Sequence, residues 1–175
     1  EGDLRGADAA MLYTLGVLSR RWLDLDKEIR VHTKHLKRRA KEVAPHLITA
    51  FGIGFDTASE LLLAAGGSAQ RIRSESAFAK LCGVCPILAS SGRTTGRHRL
   101  NRGGNRQANA ALCRIVIVRM RWHQPTLEYV RRRTAEGLSK KDIIRCLKRY
   151  VAREVYALLP AAAEQRGPVR PHEAR

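Results

Sequence analysis

Acidic side chains are missing from the middle of this chain. No aspartate or glutamate occurs between Glu75 and Glu128. That absence excludes a local pair of carboxylates placed to hold magnesium or to share general acid–base work. Long apolar runs are missing as well. The longest, residues 61–65, falls far short of the roughly 20 residues that span a bilayer. The glycine-rich stretch lacks the Gly-Lys-Ser/Thr ending of a Walker loop, and no Gly-x-Ser-x-Gly elbow is present. The nucleotide-hydrolase and esterase templates are therefore not met. Cysteine is sparse: Cys82, Cys85, Cys113 and Cys146. Cys82 and Cys85 have the spacing of half a zinc site, but no second pair completes it, and His98 and His123 stand alone. The expectation is four reduced, mostly buried thiols in a cytoplasmic protein. A metal-stabilised module around Cys82 and Cys85 is a separate reading.

What fills the acid-free stretch is positive charge. Lys80, Arg93, Arg97, Arg99, Arg102, Arg106, Arg114, Arg119 and Arg121 lie within it. At its centre, Ser90-Ser91-Gly92-Arg93-Thr94-Thr95-Gly96-Arg97-His98-Arg99 puts hydroxyl groups and flexible backbone among fixed cations. Such a field replaces the counterions condensed on a nucleic acid. The whole chain carries a net charge of +17 and a pI near 10.8, which implies a polyanionic partner. Membrane surfaces are anionic too, but the loop chemistry suits phosphodiesters, and no membrane partner is expected. With 175 residues and 44% apolar content, one domain plus an appendage is the expected scale. The chain opens Glu-Gly-Asp rather than with Met, which suggests a piece of a longer protein.

Residues 11–43 predict one long helix that Pro45 ends. Leu15, Leu18, Trp22, Leu25, Ile29, His32 and Leu36 recur in steps of three and four, a heptad seam. The seam is read as a coiled coil that pairs subunits or spaces domains, or else as a helix packed on its own domain. Residues 46–62 then read as helix, Gly52-Ile53-Gly54 turn, helix, similar to a helix-hairpin-helix motif. In that motif a glycine turn exposes backbone N–H groups to a phosphate. A short helix over residues 74–81 follows, then a basic glycine-rich loop over residues 86–106. A helix over residues 105–122 has Leu112, Ile115, Val116 and Met120 inward and Arg114, Arg119 and Arg121 available to another face. Strand is an alternative around Val116 and Ile117. Pro125 begins a further helix that Gly137 breaks. Ser139, with Asp142 three residues on, caps the last helix, whose stripe is Ile143, Ile144, Leu147, Val151, Val155 and Leu158. Residues beyond Pro160 are Ala-, Pro- and charge-rich and predict a disordered tail.

The order of these motifs resembles one family. The glycine hairpin precedes Phe78-Ala-Lys-Leu-Cys-Gly-Val-Cys-Pro86. Ser-Ser-Gly follows, then Gly96-Arg-His-Arg-Leu-Asn-Arg-Gly-Gly-Asn105, and later Gly137-Leu-Ser-Lys-Lys-Asp-Ile-Ile-Arg-Cys-Leu-Lys-Arg. Together they are similar to the bacterial insertion-sequence transposases of the IS-one-ten/IS-one-sixteen type, which include Piv-like DNA invertases. The resemblance covers roughly residues 10–160. It implies a recombinase whose N-terminal RuvC-like domain holds Mg2+ on a DEDD set of acids. A coiled coil and a C-terminal domain with a nucleophilic serine follow. In at least some members a structured bridge RNA acts as guide.

Carried onto this chain, the resemblance implies a mainly α protein without the magnesium-binding acids. Residues 1–44 become the coiled-coil helix, residues 45–160 the DNA-binding and serine domain, and residues 161–175 the tail. Ser91 matches the nucleophile best, with Ser90 as the alternative because the register of the doublet is ambiguous. Gly52, Gly54, Arg93, Arg97, Arg99, Arg102, Asn105 and Arg106 are the expected DNA-binding residues. DNA, a structured guide RNA and a second copy through the coiled coil are the expected partners. The competing reading is a non-catalytic nucleic-acid-binding protein, or a remnant of a decayed mobile element.

Overall fold

The computed structural model describes residues 6–66, 72–88, 98–101 and 103–159. The predicted C-terminal tail lies outside them. The described residues are mainly helical and divide into two units, Glu1–Arg39 and Ala40–Arg175.

The first unit is almost all one helix. Helix α1 runs Ala7–Val43, 37 residues, or about 55 Å at 1.5 Å per residue. It starts four residues before the heptad seam suggests, and its last turn belongs to the second unit. Thr14 and Ser19 return their hydroxyls to the carbonyls of Ala10 and Leu15 at 2.8 and 2.7 Å, so neither competes for an outside partner. Lys27–Asp24 and Arg30–Asp26 pair one turn apart, at 3.3 and 2.8 Å. Among the described residues nothing covers the seam: Leu15, Leu18, Trp22, Leu25, Ile29 and Leu36 are all exposed, from 42% to 66%.

The second unit has a core. Pro45 ends α1 and is itself the first residue of α2 (Pro45–Thr49), a position where its missing N–H costs nothing. Then come α3 (Phe55–Ala65), α4 (Glu75–Leu81), α5 (Arg106–Trp122), α6 (Gln124–Ala135) and α7 (Lys140–Leu158). Three of these begin on the side chains that hydrogen bonding favours at such sites. Ser74 accepts from the Ala77 N–H, Asn105 from Ala108 and Ser139 from Asp142. Helix α5 is central, packed on α3, α6 and α7, while α4 packs on α7. Leu47, Leu61, Phe78, Leu112, Ile115 and Val155 are fully buried and bring five helices into one cluster. Each such side chain contributes roughly 1.5–3 kcal/mol by leaving water. The α7 stripe packs as its spacing predicts: Ile143, Leu147, Val151 and Val155 are buried, and Ile144 and Leu158 are partly so.

The segment read as loop contains an element that the sequence pattern does not announce. Strands β1 (Pro86–Leu88) and β2 (His98–Leu100) form a two-stranded antiparallel ribbon. Pro86 pairs with Leu100, Ile87 with Arg99 and Leu88 with His98. Three residues per strand are too few for period-two alternation to be legible.

Candidate nucleic-acid interface

Two glycine-built turns lie in the second unit, and each is held by a different device. In the first, α2 leads into a tight turn closed by the Ile53 N–H donating to the Ala50 carbonyl at 3.1 Å. Gly52 has φ +77°, where a Cβ is strained. A Cβ there would also lie 3.3 Å from Arg119 Cγ, so Gly52 lies against α5. Gly54 is the N-cap of α3 without a side-chain cap, and a Cβ at Gly54 would meet nothing within 4 Å. The positive end of α3 is thus open beside Gly54. Asp56, in the first turn, already supplies that end with a negative charge.

Arg119 locks this turn in place. The sequence reading leaves it for an outer face, but its side chain is only 8% exposed. Its Nε donates to the Phe51 carbonyl at 2.8 Å, and its two terminal nitrogens donate to the Glu154 carboxylate at 2.6 and 2.7 Å. The correction has a physical reason: a guanidinium has enough donors to tie a turn carbonyl and a carboxylate together, which makes burial tolerable. The Arg119 hydrogen bonds hold the Glu154 carboxyl below its ordinary range, against the opposing effect of burial. Arg114 is also engaged, paired with Glu60.

The second turn follows α4. Gly83 has φ +67°, and Gly104 lies against it so closely that a Cβ on Gly104 would fall 2.3 Å from both N and Cα of Gly83. Only glycine fits at position 104. The Asn105 N–H donates to the Leu81 carbonyl at 2.6 Å, and Asn101 Nδ2 reaches the Lys80 carbonyl at 3.3 Å. Asn109 Nδ2 donates to the Cys82 carbonyl at 2.8 Å, while its Oδ1 accepts from Lys148 Nζ at 2.8 Å. The chain after β2 is therefore strapped across the end of α4 by backbone, and α7 reaches in through Lys148. Sequence reasoning missed Asn109 and Lys148. They are 39 residues apart, and neither falls in a motif.

The ribbon stands between these anchors. Leu88 and His98 are directly opposite, so the two ends of the intervening segment are fixed side by side. Ser90, Ser91, Arg93 and Arg97 belong to that segment and lie outside the described residues, as does Arg102. Arg99 is in β2 opposite Ile87. The Asn105 side chain is occupied in capping α5. Arg106 begins α5 and makes no ion pair among the described residues.

The cysteines are free, but only Cys82 is buried; Cys85, Cys113 and Cys146 are partly accessible, which corrects the expectation of mostly buried thiols. Burial pushes the Cys82 thiol up to about 12, the wrong direction for a thiolate ligand. Among the described residues no three His, Cys, Asp or Glu side chains gather to hold a metal ion. No helix among the described residues is long and apolar enough to cross a membrane.

Residues 44–131, half of the chain, match the family described as Transposase IS116/IS110/IS902 family. No curated protein matches the chain.

Proposed function

The chain belongs to the IS116/IS110/IS902 family of transposases, and from that premise we propose that it binds DNA and supplies the serine nucleophile for strand cleavage and transfer. The observation that carries this reading is the ribbon. It anchors both ends of the Ser90–Ser91 segment on the α4–α5 junction, inside the stretch that lacks acids. A nucleophile needs a fixed approach, and a hydroxyl needs nearby charge to stabilise what it creates.

In this proposal Ser91 Oγ attacks a DNA phosphorus. An Oγ–P ester forms as the bond from phosphorus to the departing sugar oxygen breaks. The serine proton goes to a base, and the departing oxygen takes up a proton. Arg93, Arg97 and Arg99 stabilise the charge on the phosphoryl oxygens. The metal-holding acids come from outside the serine segment's own stretch, since no Asp or Glu occurs between Glu75 and Glu128. Gly54, at the open end of α3, Arg102 and Arg106 contact phosphates and position the duplex without reading its sequence. The exposed seam of α1 pairs with a second copy.

The test is covalent capture in the full-length context. Ser91→Ala abolishes the protein–DNA adduct and leaves DNA affinity nearly intact, because one hydroxyl adds little to a phosphate-dominated contact. Loss of the adduct in Ser90→Ala but not in Ser91→Ala would move the nucleophile by one residue. Loss in neither variant favours the non-catalytic reading. If about 6 phosphates are neutralised, log K falls against log salt with a slope near −5, and a flat response removes the electrostatic argument.

A further inference from the structure

One face of α5 opens onto a cleft of about 560 Å³ that the proposed nucleophile does not use. Its charged lining is Arg106, Lys148 and Arg114, the last already paired with Glu60, and no acidic residue lines it. Its apolar lining is Ala110, Cys113 and Ile117, one helix turn apart along the same face. Ile117 is 51% exposed, unusual for an isoleucine in the middle of a well-packed helix. Gly83, Asn101 and Gly104 bring the backbone after β2 to the cleft, so it adjoins the ribbon.

We propose that this cleft holds one unpaired nucleotide of a DNA strand, its base against Ala110, Cys113 and Ile117 and its phosphate between Arg106 and Lys148. The inference rests on the DNA-binding reading above and specifies where a single strand goes. Three features select this occupant. The volume of about 560 Å³ lies in the range of sites that take a ligand the size of one nucleotide. Paired bases hide their faces in the stack, so only an unpaired base can cover an aliphatic surface. Both amide side chains in the lining are already committed, Asn109 to Cys82 and Lys148 and Asn101 to Lys80 and Gly103. The site therefore accepts any base. Lys148 gives one N–H to Asn109 and keeps two for a phosphate.

Cys113 supplies the probe, because it lines the cleft and is partly accessible. The full chain is treated with iodoacetamide, and alkylation is read residue by residue by mass spectrometry, with Cys85 and Cys146 as references. A saturating single-stranded DNA oligonucleotide slows Cys113 modification by roughly tenfold, because covering a thiol removes its access to reagent. A blunt duplex of equal length that binds by mobility shift leaves the rate within about twofold. Ile117→Asn, an exposed position, weakens single-strand binding by roughly fivefold or more and leaves duplex binding unchanged. Bound single strand with Cys113 unprotected overturns the cleft proposal and leaves the DNA-binding reading standing. Equal protection by duplex overturns the unpaired nucleotide, and stronger protection by RNA overturns the commitment to DNA. Failure of every probe to shift the protein overturns both readings.

Discussion

Helices α1 and α7 carry the same kind of apolar stripe and meet opposite fates. In α7, Ile143 and Val155 are 1% and 0% exposed. In α1, Leu25 and Ile29 are 45% and 62% exposed. Both stripes recur at three and four residues, and both sit on helices whose other faces are charged. The periodicity identifies a face that seeks cover. It does not say whether that cover lies in the same chain. For α7 the cover is α4, α5 and α6 of the same chain. For α1 the described residues provide none, which is why the seam is assigned to a second copy.

The largest effect should come where burial is complete. Leu112→Ala, at 0% exposure in the centre of α5, is expected to cost about 2–5 kcal/mol through lost burial and the cavity left behind. Denaturant unfolding followed by circular dichroism measures it. The same truncation at Leu25 should change the stability of the second unit by less than about 0.5 kcal/mol. Equal costs at the two positions would end the contrast between the helices.

Arg119→Met comes next. It removes the tie between the Phe51 carbonyl and Glu154, and is expected to cost about 2–3 kcal/mol. The cost is smaller than for a fully buried pair because the Glu154 side chain is 42% exposed to screening water. The native Glu154 carboxyl titrates below its ordinary value, so its contribution is complete above that ordinary value and fades as pH falls through the lowered one. Acid melts of the native chain should show this loss, and Arg119→Met should lack it. If the variant keeps the acid dependence, the pair is not its source.

Gly104→Ala probes the other turn. A methyl group there meets the backbone of Gly83, which has no rotamer to move away, so a loss of about 1–3 kcal/mol is expected. If the strap positions the serine segment, adduct formation in the full-length context should fall further than stability does. A proportional fall makes the strap merely structural.

The smallest effect on folding, and the most telling for α1, is Leu25→Glu. Its position is exposed, so the monomer should unfold at the same denaturant concentration. Light scattering should show the assembly reduced to monomer, because a carboxylate buried in a coiled-coil seam lacks a partner. A wild-type chain that is monomeric at high concentration removes the contrast from the other side.

Much of this was legible in residue order. The cap at Ser139, the break at Gly137 and the stripe of α7 follow from local rules, since each depends on neighbours within about four residues. The long helix, the acid-free stretch and the net charge of +17 are properties of the chain alone, as is the motif order that marks the family. Contacts between distant residues were not legible. Arg119 resembles any other arginine on a basic helix until folding brings Phe51 and Glu154 to it. Lys148 and Asn109 meet only because α7 packs on α5, and Gly104 is irreplaceable only because Gly83 lies against it. The sequence determined which faces are apolar, which turns need glycine and which sign of partner the chain attracts. Tertiary structure alone decided which cations are spent inside and which remain for a ligand, because that depends on where distant carbonyls and carboxylates come to rest.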